Sequence, residues 1–130
     1  MYSLTDDIGK LILRLMLGVL MLFHGVPKLV GGLDGIRSML AGAGLPEILA
    51  YGVYVGEVLA PVLLIIGFYA RWGAALIVVN MLFAIFLAHP HEVFMLTERG
   101  AWALELQGFF LFTALALAFT GPGGFGINRR

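Results

Sequence analysis

The chain has 130 residues, 61% of them hydrophobic and only 12% charged, roughly half the charged share of an ordinary soluble domain. Eight basic residues balance eight acidic ones and lie scattered along the chain, which argues against a nucleic-acid-binding surface. The absence of cysteine excludes disulfides, thiolate catalysis and cysteine-ligated metals. So much apolar surface cannot be hidden in one core of this size, and a single transmembrane domain over residues 1–130 follows.

Four segments approach the roughly 20 apolar residues that a helix needs to cross a bilayer. The first covers residues 8–28 and reads as a retained span, because no small-residue cleavage site follows it. Gly31 and Gly32 close it, and Asp34 stands where it would cap a short amphipathic helix over residues 35–41, lying along the interface. Gly42, Gly44 and Pro46 then turn the chain into the second span, residues 48–69. The third, residues 72–89, follows after a turn so tight that the two must be antiparallel neighbours. The fourth covers residues 101–120 and is stopped by the string Gly121, Pro122, Gly123, Gly124. The expected architecture is an all-α integral membrane four-helix bundle with a short interfacial helix between spans one and two.

An even number of spans puts both termini on one side. Lys10, Arg14, Arg71, Arg129 and Arg130 fall on that side, against Lys28, Arg37 and Arg99 on the other, so the excess of basic residues places both termini in the cytoplasm. Trp72 and Trp102 stand at span starts on opposite sides, where an aromatic belt would hold them.

Polar groups inside the spans stand out because a charge at mid-bilayer costs about 2.5–3.5 kcal/mol on insertion scales. Glu57, in the string GEVLAP, lies near the midplane of the second span. Pro61 has no N–H to offer its carbonyl, so carboxyl and loosened backbone coincide and the helix should bend there. Tyr54 shares its face and could donate to the carboxyl group. In the first span His24 and Lys28 sit one turn apart, on a stripe with Gly18, Met21 and Gly25. Asn80 lies near mid-depth in the third span and His89 at its outer end. Glu105 falls five residues into the expected fourth span, and Gln107 points to nearly the opposite face. By depth, His24, Lys28, Glu57, His89 and Glu105 gather between the midplane and the outer surface, while the inner half has little besides Arg14. A polar pocket opening outward follows if the helices pack as a bundle.

Blander roles stand beside these: Glu57 as a protonated structural acid, Lys28 snorkelling to the headgroups, His89 in a wet loop, Glu105 as a helix-start acid. Burial favours the neutral acid at Glu57 unless Lys28 or His24 reaches it. No set of three or four ligands suggests a metal site, and Pro90 beside a shallow His89 speaks against a bis-histidine haem with His24.

The strings FHGVPKLVGG (residues 23–32), AGAGLP (residues 41–46), VGEVLAPVLLIIGFYAR (residues 55–71) and TGPGGFGINRR (residues 120–130) occur in an order that resembles the DoxX family of small bacterial membrane proteins. The resemblance implies four transmembrane helices in a bacterial plasma membrane and an association with quinone-linked oxidoreductase systems. It also implies service as a platform for soluble or membrane redox partners. Within the matching strings it carries over His24, Lys28 and Glu57 as site candidates.

Three readings stay open. In the first, the chain is a membrane subunit of a redox complex, with no intrinsic cofactor and with quinone as the bound molecule. No flavin, nucleotide or cluster motif is present, so electrons would come from a partner and no catalytic residue can be assigned. In the second it is a small carrier or lipid-binding protein, which a homo-oligomer would suit. In the third it is a structural anchor among membrane lipids.

Overall fold

The computed structural model describes residues 3–88 and 90–127; His89, Arg129 and Arg130 lie outside the described residues. Apart from one isolated bridge between Leu96 and Trp102, the described chain is helical or in turns.

Helix α1 spans Leu4–Gly31 and starts on Ser3, whose hydroxyl accepts the Asp6 N–H at 3.1 Å. Asp6 and Asp7 in its first turn favour the helix dipole. Gly32, with φ 88°, ends it by donating its N–H to the Lys28 carbonyl at 2.9 Å. Helix α2 spans Asp34–Gly42. Asp34 is its first residue rather than its cap: Leu33 holds the cap position with no side-chain bond, and Asp34 pairs with Arg37 at 3.9 Å.

Helix α3 covers Glu47–Ile66. It opens as a 3₁₀ helix at Glu47–Tyr51, widens to a π-helix at Val55–Leu59 and becomes α-helical again over Ala60–Ile66. Pro61 explains the wide turn. It offers no N–H to Glu57, and the Ala60 N–H reaches back to the Val55 carbonyl instead. Left-handed Gly67 (φ 69°) and Tyr69 (φ 49°) make the reversal into helix α4, which spans Ala70–Phe83 and continues as a second π-helix at Ala84–Ala88.

Helix α5, Glu105–Thr120, is shorter than the expected fourth span and starts four residues later. Residues 101–104 fold back instead: Thr97 N–H bonds the Ala101 carbonyl at 2.6 Å and Ala103 N–H the Met95 carbonyl at 3.0 Å. Trp102 stands in this fold, just before α5. Its indole donates to the Val93 carbonyl at 2.8 Å and lies over Gly108, where a Cβ would meet the ring at 2.3 Å.

Helix α1 packs on α3, α3 on α4, α4 on α5 and α5 back on α1, giving a closed ring of four. In lipid no hydrophobic force drives helices together, so close approach through small residues does the work. Ala60, Ala74 and Ala114 are fully buried at the shared core beside Leu17, Met21, Leu64, Ile77 and Phe110. A Cβ on Gly18 would lie 2.9 Å from the Pro61 carbonyl. The outward faces are apolar: Phe23, Trp72, Phe109 and Phe119 are each 70–75% exposed, as a bilayer requires. Helix α2 seats Leu33 and Leu40 against Ala50, Val53, Tyr54 and Leu87 at one end of the ring.

The opposite end is tied by Arg14, which is 1% exposed. Its Nε donates to the Leu64 carbonyl at 2.9 Å and its Nη1 to the Pro122 carbonyl at 2.9 Å and to the Phe125 carbonyl; Nη2 reaches the Ile65 carbonyl at 3.4 Å. One guanidinium thereby gathers carbonyls at the end of α3 and binds the tail beneath the bundle. Both described ends of the chain lie at this end. Arg71 does a similar service for α5, donating to the Phe119 carbonyl at 3.0 Å.

Candidate functional site

At the α2 end, three helices bring polar side chains together. Lys28 stands in the last turn of α1, Glu57 in the π-helical segment of α3, and Asn80 in α4. Lys28 Nζ lies 2.5 Å from Glu57 Oε1, and Asn80 Nδ2 donates to Oε2 at 2.9 Å. The Glu57 side chain is 6% exposed and that of Lys28 33%. Lys28 does more than snorkel: its ammonium meets the Glu57 carboxyl group inside the bundle.

Local backbone chemistry fixes the approach. The Glu57 carbonyl, released by Pro61, faces Gly25 of α1, where a Cβ would stand 2.1 Å from the oxygen. Only glycine lets α1 come this near. Gly56 plays the same part against Asn80, whose Cβ would be 2.4 Å away. Of the string Gly52 to Gly56, the second glycine is thus a packing residue, while Gly52 faces open space. Tyr54 does not reach the carboxyl group. Its hydroxyl donates to the Lys28 carbonyl at 3.1 Å and so holds the end of α1 that carries the lysine.

The cluster borders a cavity of about 310 Å³ lined by all five helices. Lys28, Glu57, Asn80, His24 and Gln107 supply its polar wall; Ile36 and Met39 of α2, with Met81, Leu87 and Phe110, supply much of the rest. The His24 ring stands edge-on to Phe110, with centroids 5.4 Å apart. Neither His24 nor Gln107 has a hydrogen-bond partner among the described residues. Glu57 uses two of its roughly four acceptor positions and Lys28 one of its three donors. Donors and acceptors therefore both remain unused around a largely apolar chamber.

His24, Lys28, Glu57 and Asn80 thus meet at one chamber, with Tyr54 just behind it. Glu105 does not join them. It is the exposed first residue of α5 and faces an outer groove with Trp102 and Phe109. Gln107, on the other face of α5, takes the inward position. His89 is outside the described residues. Among the described residues no group of three His, Asp or Glu side chains is placed to hold a metal ion. The readable signal for Gln107 was its opposition to Glu105; the α2 residues Ile36 and Met39 carried no signal beyond amphipathicity.

A family model described as DoxX matches residues 9–90. The chain is 31% identical over 115 residues to "Putative oxidoreductase CatD" of Bacillus subtilis (strain 168), covering 88% of this chain and 81% of that protein. It is 30% identical over 128 residues to "Inner membrane protein YphA" of Escherichia coli (strain K12), covering 92% of this chain and 88% of that protein. No solved structure matches.

Proposed function

The chain belongs to the DoxX family, and from that premise we propose that it is a membrane subunit or platform of a quinone-linked oxidoreductase system, placed in the bacterial inner membrane with both termini cytoplasmic. The observation that supports this reading is the Lys28–Glu57–Asn80 cluster on the wall of a chamber that also offers unpartnered His24 and Gln107. A relative named as an oxidoreductase and another named as an inner membrane protein agree with it.

The chemistry follows from the donors. Lys28 and the Gln107 amide would hydrogen-bond a quinone carbonyl, and apolar walls of Met81, Leu87 and Phe110 would hold the ring. Reduction to the quinol takes up two electrons and two protons. A redox partner supplies the electrons, since the sequence carries no electron-carrying motif. His24 and the Lys28–Glu57 pair would pass the protons. Asn80 and Tyr54 act as positioning residues: one orients the carboxylate, the other the end of α1.

Binding of a benzoquinone to the purified protein in lipid nanodiscs, compared with Glu57→Gln, tests the reading. Saturable binding by the native chain, weakened tenfold or more in the variant, supports it. Equal affinity for both, or binding by neither, refutes it. Recovery of a redox enzyme on pull-down from native membranes would supply the partner.

A further inference from the structure

The chamber is too small for a long-chain molecule. A cavity of about 150 Å³ takes a benzene ring, so about 310 Å³ accommodates a substituted ring and little more. Any chain on that ring must leave the chamber. One apolar path is visible. On the outer face of α4 runs a groove of about 450 Å³, lined by Val79, Leu82 and Phe86 and closed above by Ala43 and Leu45 from the α2–α3 connection. Phe83 and Leu87 line both the groove and the chamber.

These two side chains form a thin partition. Phe83 is 52% exposed, so neighbouring side chains do not clamp it on all sides. Behind it begins the π-helical segment Ala84–Ala88, a local widening of the helix often found at functional sites. On the chamber side the wall is completed by Met39, an unbranched side chain that re-packs readily. Groove and chamber also differ sharply in chemistry. The groove lining carries no polar side chain, while the chamber presents two charges and three further polar groups.

We infer that the groove on α4 is the tail subsite of a single-tailed amphiphile, which enters from the bilayer past Phe83 and Leu87 and leaves its neutral, acceptor-bearing head in the chamber. The inference rests on the reading of the chamber as a headgroup site and adds the class of ligand and its route. A phospholipid fits less well. It brings two chains and an anionic head, and the buried carboxylate of Glu57 disfavours a second negative charge beside it.

Two probes separate the head from the tail: a benzoquinone carrying a decyl chain, and the same ring without the chain, each titrated into the native protein and into Leu82→Trp in nanodiscs. Leu82 is 40% exposed, so the larger side chain enters the groove without disturbing the core. The expected result is that Leu82→Trp weakens the decyl compound tenfold or more, the loss of about two buried methylene groups, and leaves the bare ring within about twofold. A decyl compound ending in a photoreactive diazirine should label the Val79 to Phe86 peptide of the native chain, which guards against a folding defect in the variant. Equal weakening of both probes, no weakening of either, or labels scattered over the lipid-facing helices would overturn the tail subsite and leave the headgroup reading standing. Failure of the native protein to bind either probe would overturn the headgroup reading and the tail subsite with it.

Discussion

Two buried charges hold the two ends of this bundle, and they are satisfied in opposite ways. Arg14 spends its donors on backbone carbonyls of α3 and of the tail. Those acceptors are fixed by the fold, and the result is a closed knot. Glu57 is met by two side chains, Lys28 and Asn80, and borders a chamber in which donors and acceptors remain unused. The contrast teaches that a charge in a membrane helix marks a site only when its partners leave capacity over. Saturated by main chain, it is a fastener.

The sharpest way to break the comparison is Arg14→Ala. It takes the guanidinium donors from the Pro122 and Phe125 carbonyls and loosens the tail, and each unsatisfied buried acceptor costs about 1–3 kcal/mol. A loss of roughly 4 kcal/mol is expected by reversible unfolding in mixed micelles. Quinone affinity of the folded fraction should be unchanged, since the chamber lies at the other end.

Next in size is Lys28→Met. It strands a buried carboxylate and should cost about 3 kcal/mol, whereas Lys28→Met combined with Glu57→Gln should recover more than half of that, because a paired deletion removes the unpaired charge. Additive losses in this double-mutant cycle would deny the coupling of the two side chains.

Gly25→Ala drives a methyl group into the Glu57 carbonyl and should cost about 2 kcal/mol. The same change at Gly52, where a Cβ meets nothing within 4 Å, should cost nothing measurable. Smallest is Tyr54→Phe, at about 1 kcal/mol. It should lower quinone affinity only through the looser end of α1, so Lys28 would show faster side-chain exchange by NMR while Glu57 stays in place.

Much of the chamber was legible in the sequence because its members are conspicuous there. A glutamate four residues before a proline, a lysine one turn after a histidine and a lone asparagine all interrupt apolar runs, and burial in lipid forces such groups inward to find one another. Tyr54 was legible in position but not in partner, since its hydroxyl turns to the Lys28 carbonyl at the end of α1, a contact between helices with no local signature. Glu105 misled because it and Gln107 stand on opposite faces of one apolar helix, and which face turns inward is set by packing against the other helices. The hairpin closed by Thr97 and Ala103 makes Glu105 the exposed first residue of α5, and Gln107 lines the chamber instead. Arg14 was seen as an isolated charge, yet its role depends on the tail folding back across the bundle, a long-range contact with no local signature. The π-helix at Val55–Leu59 follows from Pro61. The one at Ala84–Ala88 stands at the same spacing before Pro90, which offers no N–H to Phe86.

The most direct test of the chamber as a headgroup site is the infrared carbonyl stretch of a quinone labelled at its carbonyl carbons and bound to the protein in nanodiscs. Hydrogen bonding from Lys28 and its neighbours predicts a band moved to lower wavenumber in the native protein and moved back toward the free-membrane position in Lys28→Met. A native-protein band that coincides with that of quinone in empty nanodiscs would contradict it.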